Sequence, residues 1–106
     1  MSTGRFVKMK EKHYLIVYDI RDGKRLSQVE KCITSYAVRV QNSVYEATLS
    51  EGILEDLKKR LHAIIDRSKD FVLFFIVCER DWQKREFFGL DKKNNNYVDD
   101  DSFVIL

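Results

Sequence analysis

The segment HYLIVYDIRDGKR, residues 13–25, runs through five successive apolar positions, Tyr14 to Tyr18, onto a carboxylate, Asp19, and then into Arg21-Asp22-Gly23. Side chains at successive strand positions point to opposite faces, so an unbroken apolar run predicts a strand over 13–20 that is buried on both sides. Arg21-Asp22-Gly23 is its turn. From Lys24 to Tyr36, the residues Leu26, Val29, Ile33 and Tyr36 recur at three- and four-residue spacing, which places them on one face of an amphipathic helix flanked by Cys32.

Further along, VRVQNSVYEATL (38–49) is rich in β-branched and aromatic residues, but the alternation set by Val38 and Val40 breaks at Gln41-Asn42-Ser43 before Tyr45, Ala47 and Leu49 resume it. A bulge or tight hairpin is expected there. Ser50 can cap a second helix to about Asp66, with Ile53, Leu57, Leu61, Ile64 and Ile65 inward and Lys58, Lys59 and Arg60 outward. Asp70 opens the last core strand, FVLFFIVC. Beyond Glu79 the chain turns mixed and polar, and it closes on SFVIL (102–106), read as a short terminal strand.

The order strand, helix, hairpin, helix, strand predicts an α+β fold of the ferredoxin-like split β-α-β-β-α-β type, an antiparallel sheet with two helices on one face. Residues 1–80 are assigned to this domain and 81–106 to a C-terminal tail. Two helices cover only one sheet face, yet the strands at 14–18 and 71–78 are apolar toward both. A sheet-to-sheet homodimer is therefore expected to cover the second face.

With 106 residues the chain supports one core. No apolar run approaches the ~18 residues of a membrane span, and the first residues, MSTGRFVKMKEK, lack the apolar segment of a secretory signal. Cytoplasmic residence with no membrane partner is the expectation. Cys32 and Cys78 form no C-x-x-C pair and predict neither a zinc site nor a disulfide scaffold. Net charge is +2, and the acidic end of the chain leaves the remainder more basic, which is compatible with phosphate binding.

Asp19 has two readings at this point. A strand end fixes backbone while its side chain emerges at the rim, a position suited to a catalytic or ligand-binding group; equally, Asp19 can cap the following turn through its own oxygens. A twofold axis through the sheet interface would bring two copies of Asp19 together at one rim. Facing carboxylates repel unless a cation intervenes, and magnesium suits such a pair because it needs only one or two carboxylates and fills its octahedron with water and phosphate oxygens.

YDI at Tyr18 to Ile20, DGKR at Asp22 to Arg25 and RVQNSVYE at Arg39 to Glu46 resemble the CRISPR-associated protein Two family, the smaller of the two universal spacer-acquisition proteins. The resemblance spans roughly residues 13–79. It implies a ferredoxin-like homodimer whose paired Asp19 residues hold Mg2+. It also implies two activities: metal-dependent endonuclease action on RNA or DNA, and bridging of the CRISPR integrase by a dimer that binds captured duplex DNA. By position Tyr18 and Asp19 match the family's strand-end pair, Arg25 and Arg39 match basic residues near it, and Tyr45 matches an aromatic usually given as Phe. The family's last strand would fall at Ser102 to Leu106. The sequence departs from the family pattern at Ala37, where many members have Gly, at Tyr45, and across 81–101.

The other candidates are weighed against plainer roles. Arg25 and Arg39 can hold phosphate bidentately or stand as solvated charges. Lys58, Lys59 and Arg60 form either a solvated helix face or a sequence-blind track for a nucleic-acid backbone. His13 and His62 lack ligand partners at metal spacing. Asp99-Asp100-Asp101 lacks the spacing of a calcium loop. Phe71, Phe74 and Phe75 point to core or dimer packing more than to an RNA-stacking platform, in the absence of an RNP1 pattern. A rival function of a different class is a ferredoxin-like RNA-binding or small regulatory domain without catalysis.

Overall fold

The computed structural model describes residues 10–91 and 96–97. The terminal strand expected at 102–106 and the triple aspartate at 99–101 lie outside the described residues. Six elements build the domain: β1 (Glu11–Asp19), α1 (Gly23–Thr34), β2 (Val38–Gln41), β3 (Val44–Ser50), α2 (Glu51–Ile64) and β4 (Phe71–Val77). They are followed by α3 (Glu79–Lys84) and by β5 (Leu90–Asp91) paired with β6 (Asn96–Tyr97). The main sheet has the order β2-β3-β1-β4 with every pairing antiparallel, the expected split β-α-β-β-α-β arrangement.

Local chemistry sets the boundaries. Asp22 takes the N-cap of α1, accepting the Arg25 N–H at 2.9 Å, and Ser50 caps α2 by accepting the Ile53 N–H at 3.3 Å. Each cap satisfies an N–H that the first helical turn leaves without a carbonyl partner. The break in alternation at 41–43 is a register shift between Arg39 and Gln41 followed by the turn into β3.

One side of the sheet is a continuous core. Tyr14, Ile16 and Tyr18 of β1 and Tyr45, Ala47 and Leu49 of β3 pack against Val29 and Ile33 of α1 and against Leu54, Leu57 and Leu61 of α2. Fully enclosed Ile16, Ile33 and Leu57 each contribute about 1.5–3 kcal/mol through the apolar surface they remove from water. The phase of α2 differs from the expected one: Leu54, not Ile53, faces inward, and Ile53 is 47% exposed. The cap at Ser50 starts the helix at Glu51, and from there Leu54, Leu57 and Leu61 make the stripe that meets the sheet.

The other face divides in two. On the β1–β3 side it is crossed by α3, which spans the domain boundary expected at 80/81. Trp82 of α3 lies flat on His13, with ring centroids 4.5 Å apart and planes within 5°. The Arg85 guanidinium stacks 3.9 Å above the Trp82 ring and pairs with Glu46, Nε to Oε2 at 2.7 Å. His13 also reaches Thr48 Oγ1 at 2.9 Å and Glu79 Oε1 at 2.6 Å. On the β4 side no described residue covers the sheet, and Phe71, Leu73 and Phe75 are 45–50% exposed.

Candidate functional site at the β1 rim

Strand alternation decides which residues share a face. Tyr14, Ile16 and Tyr18 point into the core, so Leu15, Val17 and Asp19 point the other way. Across the β1–β4 pairing they stand beside Phe75, Leu73 and Phe71 respectively. Asp19 is thus the last rung of an apolar ladder on the uncovered face, and its side chain is 49% exposed. The helix that follows the turn is capped by Asp22, not by Asp19. Its only ion-pair partner among the described residues is Arg21, Nη1 to Oδ2 at 3.9 Å.

Behind this rim sits a carboxylate that sequence reasoning did not single out. Asp70, at the entry to β4, has a fully enclosed side chain. It accepts Arg25 Nε at 2.7 Å and Nη2 at 3.1 Å, the Arg21 backbone N–H at 2.9 Å and the Asp66 backbone N–H at 2.9 Å. The Arg25 guanidinium, followed by the two backbone donors, holds the Asp70 carboxyl well below the usual carboxylate range. Arg25, expected near phosphate, is therefore turned inward as the counterion of Asp70, and the pair ties the β1–α1 turn to the β4 entry.

Tyr18, Arg39 and Tyr45 come together, but on the helix-covered side. Tyr18 Oη lies 2.9 Å from Glu30 Oε2 and 3.1 Å from the Asn42 carbonyl. Arg39 donates to the Tyr45 hydroxyl from Nε at 3.0 Å and from Nη2 at 2.8 Å, and pairs with the same Glu30 oxygen at 3.0 Å. Burial, then the bond to Glu30, pushes the Tyr18 hydroxyl far above the ordinary tyrosine range, so it is a neutral donor at any physiological pH. The structure joins these three residues through Glu30, which the sequence reading missed, and sets them across the sheet from Asp19.

Lys58, Lys59 and Arg60 lie exposed on α2. Lys58 Nζ sits 5.6 Å from the Phe74 ring centre and 3.6 Å from Glu55, and the Arg60 guanidinium is 5.7 Å from the Tyr36 ring centre. A cleft of about 420 Å3 runs between the sheet and the segment after α3, lined by Leu15, Val40, Gln41, Val44 and Phe87 among others; it includes none of the rim residues. No three His, Cys, Asp or Glu residues converge among the described residues. No helix among them is long and apolar enough to cross a membrane.

A split β-α-β-β-α-β domain, with Asp19 ending an apolar ladder that no described residue covers, defines a small α+β protein of the ferredoxin-like type. Comparison with known proteins gives the family. Residues 12–85 match the model of the family described as CRISPR associated protein Cas2, and the chain belongs to that family. It is 31% identical over 86 residues to the CRISPR-associated endoribonuclease Cas2 of Thermotoga maritima, covering 81% of this chain and 98% of that protein. Among solved structures it is similar to Streptococcus pyogenes Cas2, with 33% identity, a TM-score of 0.65, and 73% and 99% of the two chains covered. It shares its fold, at 24% identity and a TM-score of 0.63, with a chain of a partial Cas6-RT-Cas1–Cas2 complex, covering 82% of this chain and 96% of that one.

Proposed function

We propose that this Cas2-family protein acts in CRISPR adaptation as a sheet-to-sheet homodimer that binds captured duplex DNA and bridges the CRISPR integrase, and that its paired Asp19 carboxylates hold Mg2+ for phosphodiester cleavage. The observation that carries the reading is the ladder Leu15/Phe75, Val17/Leu73, Asp19/Phe71: an apolar strip wanting a cover, with a carboxylate at its end. A second copy seated there brings a second carboxylate to the first, and a hard oxygen donor at a hydrated rim fits magnesium, which keeps most of its water. The bound ion would polarise a phosphodiester and orient water.

The names of relatives support the nuclease part, several being called endoribonucleases and one, from Thermus thermophilus, an endonuclease. Occurrence of this fold beside Cas1 in a solved complex supports the integrase part. Tyr18, Arg39 and Tyr45 then serve the rim from behind, by fixing the end of β1 against β3 and α1. The exposed α2 cations Lys58, Lys59 and Arg60 offer the duplex a sequence-blind track.

The test is magnesium-dependent cleavage of single-stranded RNA and of duplex DNA by wild type and Asp19→Asn, with light scattering on both. Cleavage lost in the variant while the dimer persists supports the nuclease reading. Equal background in both removes catalysis, and a monomeric wild type removes the paired site.

A further inference from the structure

The rim is flanked by three arginines, Arg21, Arg25 and Arg39, and their guanidinium groups are not equally available. Arg25 is bound by both prongs to enclosed Asp70, and its side chain is only 23% exposed. Arg39 is engaged by Glu30 and Tyr45 on the opposite side of the sheet from Asp19. Arg21 differs from both. Its side chain is 67% exposed, and its one ion pair among the described residues is the 3.9 Å approach to Asp19, itself half exposed. A long, solvated pair of this kind is worth only about 0–1 kcal/mol, so it yields readily to a better acceptor.

Its backbone, by contrast, is fixed. The Arg21 N–H is held at 2.9 Å by Asp70, in a turn further secured by the Arg25–Asp70 pair and by the Asp22 cap. A rigid base carrying a loosely engaged planar fork beside a rim carboxylate suits the bidentate capture of phosphate oxygens.

We propose that Arg21, and not Arg25, is the side chain that grips a nucleic-acid phosphate next to Asp19. The inference rests on the nucleic-acid reading given above. It reassigns the cation of that site by chain geometry: the arginine that matches the family motif is a structural counterion here, and its neighbour four positions earlier faces solvent.

The test is binding of a short labelled DNA duplex in EDTA, followed by fluorescence anisotropy across a salt series, for wild type, Arg21→Ala, Arg21→Gln and Lys24→Ala. Lys24 is exposed on the first turn of α1 and removes the same charge from the same region. Substituting the Arg21 side chain leaves its N–H, and so the bond to Asp70, in place. Each phosphate contact contributes about 0.9 to the slope of log affinity against log salt. Both Arg21 variants are expected to bind several-fold more weakly at low salt, with the slope reduced by about 0.9 for each protomer engaged, while Lys24→Ala keeps the wild-type slope. A wild-type slope in both Arg21 variants, or an equal reduction in Lys24→Ala, would overturn the assignment while leaving nucleic-acid binding intact. Failure of the wild type to bind at any salt concentration would overturn the nucleic-acid reading and this inference with it.

Discussion

Arg25 grips Asp70 with two prongs, Nε to Oδ2 at 2.7 Å and Nη2 to Oδ1 at 3.1 Å, across 45 residues of sequence. Removing the guanidinium leaves an enclosed carboxylate with only backbone donors, and an uncompensated buried charge is far costlier than the loss of an exposed pair. Arg25→Ala is therefore expected to lower the thermal midpoint by more than about 8 °C, and Arg21→Ala, which removes no enclosed contact, by much less. Circular dichroism melts of both variants decide this, and equal midpoints would contradict it.

The same pair sets an acid limit on stability. The folded-state pKa of Asp70 lies below its ordinary value of 3.8, chiefly through Arg25, so between the two values the unfolded chain binds the extra proton. Stability from this group is complete above the ordinary value and drains away as pH falls through the folded one. Asp66, lowered by Ser68, and Glu79, lowered first by Gln83 and then by His13, act in the same direction. Urea midpoints measured downward from pH 5 are expected to fall for wild type, and to fall less steeply in Arg25→Met. Parallel curves would remove Arg25 as the cause.

How far the sequence already reveals this protein depends on the range of each interaction. Hydrophobic spacing along β1, α1, α2 and β4 is local, and it predicts the element order and the two-sided apolar character of β4. Asp19 is legible as a rim residue for the same reason, since alternation alone puts it opposite Tyr18. The partners of Arg25 and Arg39 are not legible: Asp70 and Glu30 reach them only once the sheet has closed, and a lone acid in a helix or a loop carries no spacing signal. The stacking of Trp82 on His13 joins residues at the two ends of the domain and is hidden for the same reason.

Tyr18 provides a test at the alkaline end. Its hydroxyl is driven above the ordinary value of 10.0, first by burial and then by Glu30, so the phenol stabilises the fold below that value and the contribution is lost as pH rises through the folded pKa. Tyr18→Phe deletes a hydrogen bond to a carboxylate and is expected to cost about 1.5–3 kcal/mol at neutral pH, read from urea unfolding. Tyr14, raised by burial, and Tyr36, raised by its bond to Asp56, also ionise late, so in a spectrophotometric titration of the folded protein the Tyr18→Phe trace should show one fewer late-ionising tyrosine than wild type.

The protein has a single tryptophan, and its place between His13 and Arg85 makes it a reporter for the α3 crossing. Arg85→Ala removes the cation above the ring and the pair with Glu46, exposing one side of Trp82 to water. A red shift of its emission is expected without loss of the far-ultraviolet helix signal, because α1 and α2 pack on the other face of the sheet. An unshifted spectrum would mean that α3 is held without Arg85.

The crossing by α3 also bears on how two copies can meet. With His13 engaged by Trp82 and Glu79 of α3 and Glu46 by Arg85, the part of the face left open by the described residues is the strip of β1 and β4 bearing Val17, Leu73, Phe71 and Phe75, and a second copy seated as proposed would lie directly beside Asp19. Leu73 is 45% exposed in the single chain and can accept a charge without disturbing the helix-side core, whereas in a dimer the same charge would be buried without a counterion, at a cost of several kcal/mol. Leu73→Lys is expected to run as a folded monomer by light scattering, with the wild-type circular dichroism spectrum, and to lose the magnesium-dependent cleavage proposed for the paired Asp19 residues. A Leu73→Lys protein that remains dimeric would place the interface elsewhere, and a monomer that cleaves as well as wild type would show that one Asp19 is enough.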